Sequence, residues 1–404
     1  MDEKLFHNEN YWTSPYNYFE QVRSQFDLPK RVKFHDVTLR DGEQAPGVAF
    51  RAEEKIQIAK WLDELGVDRI EAALPAVSDD DLRATKGIVA FRPKAQVFVL
   101  CRGVASDVEL ALDCGVDGII LELPVGVPRL KYQFSDWTED DVVEKASHWA
   151  KFAKSKGLEV VLFPMDCTRA RPEFFTRVLQ EVGTLPEVDG ISLVDTSGSL
   201  TPQAAVYVVK QMKEITKKRI EVHTHTDFGM GVATSLAAVT AGAEVIHASV
   251  AGLGERTGNT PLDEAAVAAK SLYGLDSNIK FGKLLEISRK VLEVSKFQIA
   301  PAKPIIGERA FTRESGMGID LVKTQPLALF GVNPRFVGQQ PEYVLGKKSG
   351  MASVTMKLED LCMPAISTDE AKAVLNKVKT LGLKKKGLVT DEEFAAIVKE
   401  VTSK

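Results

Sequence analysis

The chain has 404 residues, too many for one ordinary domain of about 150, and fits one large domain with a smaller one or two of medium size. Its 44% hydrophobic and 27% charged residues are a globular composition, which excludes a disordered or fibrous chain. With 52 Lys and Arg against 56 Asp and Glu the net charge is −4, so no broad basic footprint for nucleic acid or anionic membrane exists.

Residues 1–30 begin MDEKLFHNENYW, with early acids and no apolar core, which is not a secretory signal. No apolar stretch approaches the ~20 residues of a membrane helix. A soluble, cytoplasmic protein is expected. Phe6, Tyr11, Trp12, Tyr16, Tyr18 and Phe19 give this extension an aromatic character, expected to pack on the next domain or on a neighbouring subunit. Cys101, Cys114, Cys167 and Cys362 show no CxxC spacing, so neither a zinc cage nor a disulfide framework is indicated.

The expected catalytic barrel spans 31–300, and from about 31 to 275 short β-rich apolar runs alternate with helix-period segments. The runs are 32–37, 68–73, 95–101, 118–123, 158–164, 190–194, 219–223 and 244–250. Between them, Ile58, Leu62 and Leu65 share one helix face, as do Val142, Ala146, Trp149 and Ala153, with Gly157 as a stop. Strands alternating with helices predict parallel pairing. Eight units over ~250 residues favour a (β/α)8 TIM barrel over the competing open doubly wound sheet.

In such a barrel, chemistry sits where strands end. The first run leads into Asp36-Val37-Thr38-Leu39-Arg40-Asp41-Gly42-Glu43-Gln44, which reads equally as a site or as an exposed, salt-bridged turn. The seventh ends His223-Thr224-His225. Residues i and i+2 of a strand share a face, so two of only six histidines are placed to bind one divalent metal. His7, His35, His148 and His247 lack such a neighbour and read as structural. The eighth run leads into GLGERTGN (252–259). Its glycines suit a phosphate loop or a tight substrate or metal loop, and Asn259 can offer an amide oxygen to a cation.

Residues 301–404 open on the prolines of a linker, Pro301 and Pro304, and continue as a small, mostly helical subdomain. Its last two helices begin at Ser/Thr/Asp start signals, STDEAKAV and TDEEFAAI, with LKKKG as a solvated connection.

DVTLRDGEQAPG, LVDTSG, HTHTDFGMG and GLGERTGNTPLDE, four motifs in order at strand ends, closely resemble the acyl-CoA-dependent 2-isopropylmalate, homocitrate and citramalate synthases. That family of metal-dependent barrels also includes the 3-hydroxy-3-methylglutaryl-CoA lyases. The resemblance covers about 33–350 and continues more weakly to the end. It implies a divalent metal (Mn2+, Zn2+, Mg2+ or Co2+) on Asp41, His223, His225 and, more loosely, Asn259. It places the catalytic arginine at Arg40, a carboxylate-holding threonine at Thr196, and Glu43 beside the acid/base position. With Gln44 and Met165 added, these residues frame the expected substrate site. The reaction implied is a Claisen condensation of acetyl-CoA with a 2-oxo acid, in amino-acid biosynthesis, by a homodimer. GLGERTGN lacks the cysteine of the lyase loop and resembles the synthase form. The regulatory domain of leucine-inhibited relatives would follow after about residue 400, so feedback through such a domain is not expected.

Three departures from the family stand out. Ile120 falls where relatives carry a substrate-reaching histidine on the fourth strand. The fifth strand ends Phe163-Pro164-Met165-Asp166, without the usual glutamate. Glu314-Ser315-Gly316-Met317-Gly318 has no histidine. Glu122, two residues after Ile120, faces the same side of its strand. It reads either as a displaced active-site acid or as a partner for Arg169 or another barrel cation. Glu43, Glu122 and Glu314 are the candidates for the base, and a lyase or a catalytically altered paralogue are the competing functions.

Overall fold

The structure is a computed structural model that describes residues 2–403. Eight strands, β1 (Lys33–Asp36), β2 (Arg69–Glu71), β3 (Gln96–Cys101), β4 (Gly118–Pro124), β5 (Glu159–Met165), β6 (Gly190–Asp195), β7 (Arg219–Thr224) and β8 (Val245–Ala248), form a closed parallel barrel in sequence order. Closure is made by β1 on β8, with Phe34 opposite Ile246 and His35 opposite His247. The alternative of an open doubly wound sheet is therefore set aside.

The surrounding helices bury the faces their periodicity marks. Helix Ala52–Leu65 buries Ile58, Leu62 and Leu65 against the sheet, each side chain contributing about 1.5–3 kcal/mol of transfer free energy. Helix Glu139–Ser155 buries Val142, Ala146 and Ala153 of the expected face, with Ala150 in place of Trp149, which stays partly exposed, and starts at a Thr138–Asp141 capping box. Gly157, with φ of 90°, turns the chain back towards β5.

By compactness the described residues divide into 14–299 and a second unit made of 2–13 with 300–403. The aromatic extension is thus shared. Tyr18 is buried, its hydroxyl donating to the Ser271 carbonyl of the first unit. Tyr11 bridges to Val332 in the second. The second unit is not purely helical: Thr312–Arg313 pairs in parallel with Glu342–Tyr343. Helices Met351–Asp360, Thr368–Lys385 and Asp391–Thr402 close on Val354, Val374, Val378 and Phe394. The last two start at capping boxes, Ser367–Glu370 and Thr390–Glu393, as their start signals predict. All four cysteines are free thiols. Among the described residues no helix is long and apolar enough to cross a membrane.

Candidate active site

The turn after β1 is built by short-range bonds. Asp36 accepts from the Thr38 amide at 2.9 Å and the Thr38 hydroxyl at 3.1 Å, and the same hydroxyl accepts the Val250 amide at 2.9 Å. Burial pushes the Asp36 carboxyl up to about 7, against the pull of these hydrogen bonds. The turn delivers Arg40 and Asp41 to the barrel mouth. Arg40 donates through Nε to Glu71 Oε1 at 2.6 Å, through Nη2 to Glu71 Oε2 at 3.3 Å, and through Nη1 to Asp41 Oδ2 at 2.7 Å. Burial disfavours the Arg40 charge, but Glu71 and Asp41 outweigh it and the guanidinium stays charged. Burial likewise opposes the charge on Glu71, yet Arg40 and His35 hold its carboxyl down to about 2.

Asp41, His223 and His225 bring one ligand atom each to within 4.8 Å of one another, all three buried. His223 Nε2 lies 3.5 Å from Asp41 Oδ2. Burial lowers both histidines, most strongly His223, so both imidazoles are neutral, as a metal ligand must be. Asn259 completes the group by donating to Asp41 Oδ1 at 2.9 Å and to the Leu253 carbonyl at 2.9 Å. Nδ1 of each imidazole and Oδ1 of Asn259 are buried without a hydrogen-bond partner. Two neutral nitrogens, a carboxylate and a free amide oxygen fit a divalent cation, with coordination positions left for a ligand.

The glycines after β8 seat Asn259. A side chain on Gly258 would come within 1.9 Å of the Gly252 carbonyl, at a φ of 92°, and one on Gly254 within 2.4 Å of Asn259 Nδ2. The loop is therefore folded on itself, the tighter of the two alternatives. Arg256 pins it by donating to Asp227 at 2.9 Å and to the Thr196 carbonyl at 2.5 Å.

A cavity of about 530 Å³ opens over this group. Arg40, Asp41, Gln44, Glu122, Met165, Thr196, His223 and His225 all line it, so most of the expected residues meet in one place. Thr196 Oγ1 accepts the Asp166 amide at 2.9 Å. Glu122 forms no ion pair among the described residues. Arg169 is instead joined to Asp166 by two bonds of 2.8 Å, so the cations that act on Glu122 are Arg40 and, more weakly, Arg129. Low-polarity surroundings push the Glu122 carboxyl up to about 7, partly offset by Arg40.

Two of the residues considered, Glu43 and Ile120, do not line this cavity. Glu43 accepts the Phe50 amide at 2.7 Å and pairs with Lys55 at 2.5 Å, in a neighbouring cavity that Arg40 and Gln44 also line. Ile120 is fully buried one layer below Glu122 and does not line the cavity. Glu314 lies in the second unit, accepting the Lys348 amide at 2.9 Å. Conversely, Glu71 and Arg129 belong to the site and were not foreseen. Arg129, on helix Val127–Tyr132, lines the cavity with its Nε buried and unpartnered and its Nη1 on Gln133 at 2.8 Å. The one available signal for Glu71 was a carboxylate inside the apolar run RIEAAL.

A barrel with a candidate metal group at the C-terminal ends of its strands is the arrangement that the resemblance of the motifs implies. The HMGL-like family profile matches residues 31–291, and the chain belongs to that family. It is 39% identical to the homocitrate synthase AksA of Methanopyrus kandleri over 95% of this chain and 96% of the relative. It is 38% identical to the 2-isopropylmalate synthase of Methanocaldococcus jannaschii over 95% of this chain and 74% of the relative. The barrel superposes on the HMG-CoA lyase of Bacillus subtilis with a TM-score of 0.61 at 20% identity, covering 67% of this chain and 96% of the lyase.

Proposed function

We propose that this protein is an acyltransferase that condenses acetyl-CoA with a 2-oxo acid to give a 2-alkylmalate-type acid and CoA. The observation that carries this reading is the convergence of Arg40 with Asp41, His223 and His225 on one cavity, in a chain 38–39% identical to named synthases. The lyase likeness, at 20% identity, speaks for the fold alone.

In the reaction the acetyl methyl carbon loses a proton and bonds to the ketone carbon. The ketone oxygen takes up a proton, and water then splits the thioester to release the CoA thiol. A divalent cation held by Asp41, His223, His225 and Asn259 would supply Lewis-acid polarisation of the ketone. Arg40, permanently charged and fixed by Glu71, faces the developing oxyanion. Thr196 offers its hydroxyl to the oxo-acid carboxylate. Glu122, whose carboxyl is pushed up to about 7 by burial, is the cavity's candidate for the methyl proton. The identity of the cation, a homodimer and a cytoplasmic setting belong to the same proposal. Thiol release from acetyl-CoA across a panel of 2-oxo acids, with Mn2+ or Mg2+, tests it. Release that needs both an oxo acid and a cation supports the reading, and none across the panel refutes it.

A further inference from the structure

Below the cavity floor the barrel axis carries an ionic column in place of the usual branched aliphatic layers. At the N-terminal end of the strands, Arg69 and Arg219 each donate to Glu221 Oε1 at 2.8 Å, and to Glu159 Oε1 at 2.6 and 2.7 Å. Glu221 Oε2 bonds His247 Nε2 at 2.9 Å. His247 stacks on His35, ring centroids 4.3 Å apart and planes 19° from parallel. His35 Nε2 bonds Glu71 Oε2 at 3.0 Å, and Glu71 holds Arg40. Three carboxylates and three guanidiniums are thus joined through two imidazoles, and His35 and Glu71 have no solvent contact.

We infer that His35 is a positioning residue that locks the Glu71 carboxylate, and through it aims the Arg40 guanidinium into the cavity. The two Glu71 oxygens are not equivalent towards Arg40: Oε1 is held at 2.6 Å, Oε2 only at 3.3 Å. The shorter partner of Oε2 is His35. Without that donor the carboxylate can rotate, and Arg40 loses its two-point hold. The stack on His247, itself tied to Glu221, fixes the plane of the His35 ring and hence the direction of its N–H. A carboxylate on His35 Nε2 assigns a proton to that nitrogen, and Nδ1 of each ring has no hydrogen-bond partner. Burial holds His35 down to about 4, so the ring is neutral under working conditions.

A second metal centre is the competing reading, because His35, Glu221 and His247 also bring ligand atoms within 4.8 Å of one another. Stacked rings direct their in-plane lone pairs side by side and not to one point. Both Nε2 atoms are already engaged by carboxylates. The column is a hydrogen-bonding device.

The inference rests on the role proposed for Arg40, and the test separates the two. His35→Phe keeps the ring and the stack but removes the donor. His35→Gln restores an N–H near the position of Nε2. Per folded, metal-loaded enzyme, His35→Phe is expected to lower kcat at least about tenfold, with KM for the oxo acid changed far less, and His35→Gln to recover most of it. In protein labelled with 15N-arginine, the Arg40 Nε–H resonance, identified by its loss in Arg40→Lys, should be sharp in the parent and in His35→Gln but exchange-broadened in His35→Phe. An unchanged Arg40 resonance in His35→Phe overturns the inference whether or not the parent turns over. Activity lost only in proportion to folded protein, equally in both variants, also overturns it. A parent inactive on every oxo acid overturns the proposed reaction and leaves the resonance to decide the positioning.

Discussion

Arg40 and Glu71 are joined side-on by two hydrogen bonds, Nε to Oε1 at 2.6 Å and Nη2 to Oε2 at 3.3 Å, with neither side chain able to reach bulk water freely. The pair leaves Nη1 for Asp41, so one planar group spans a carboxylate of the barrel wall and a carboxylate of the candidate metal group. A guanidinium can make this three-way fork and an ammonium cannot.

Arg40→Lys should therefore lose roughly 100-fold or more in kcat, the scale of removing one preorganised oxyanion donor. Charge is retained, so the melting temperature should move little. Steady-state kinetics on the folded variant checks this, and near-parent kcat would contradict the role of Arg40.

His223→Ala and His225→Ala should each abolish or strongly weaken divalent-metal binding. Each removes one of the two neutral nitrogens that converge with Asp41. Metal content of the purified variants, alongside calorimetric titration with Mn2+, measures the effect. Parent stoichiometry in both would remove the metal site.

Gly258→Ala should reduce metal affinity even though residue 258 bears no ligand. Its methyl would meet the Gly252 carbonyl, and the loop would open and displace Asn259. Stability should fall too, by about 1 kcal/mol or more for a side chain forced into left-handed backbone. Calorimetric metal titration and thermal melts on the variant read the two effects separately.

Glu122→Gln should cut kcat/KM more than tenfold, more than about 1.4 kcal/mol of transition-state binding. Its stability signature is also specific. The folded Glu122 carboxyl holds its proton up to about 7, above its ordinary 4.5. Parent stability is then lost as pH rises from 4.5 through 7, because the folded state is the one that keeps the proton. Glutamine has no proton to lose, so the melting temperature of the variant minus that of the parent should increase from pH 5 to pH 8. A difference that shrinks over that range would mean the ionised carboxylate is stabilised by a cation.

Much of the barrel is legible in the amino-acid pattern, because β-rich runs such as 118–123 and 219–223 sit between helical segments with a clear apolar face. His223 and His225 are legible through the two-residue period of a strand, although His225 lies just past β7, bridged to Asn259. Glu71 is not: inside a short run, periodicity cannot separate the barrel axis from the helix-facing side. Glu43 is placed by a local feature that the sequence does not spell out. The chain enters a 3-10 turn at Gly42, and its carboxylate meets Lys55 on helix Ala52–Leu65 and turns away from the metal group. Arg129 depends on how a short helix folds back over the mouth, and the division of residues 1–30 depends on pairing with 331–333, more than 300 residues away. Neither leaves a local trace.

The central claim is that this cavity makes a carbon–carbon bond between an acetyl group and a 2-oxo acid. Incubation with [13C2]acetyl-CoA, a 2-oxo acid panel and Mn2+ or Mg2+, followed by mass spectrometry of the acids formed, tests it most directly. The account predicts a hydroxylated dicarboxylic or tricarboxylic acid two mass units heavier, formed in step with free CoA thiol and absent from His223→Ala. Labelled acetate as the sole labelled acid, or no labelled acid at all, would contradict it.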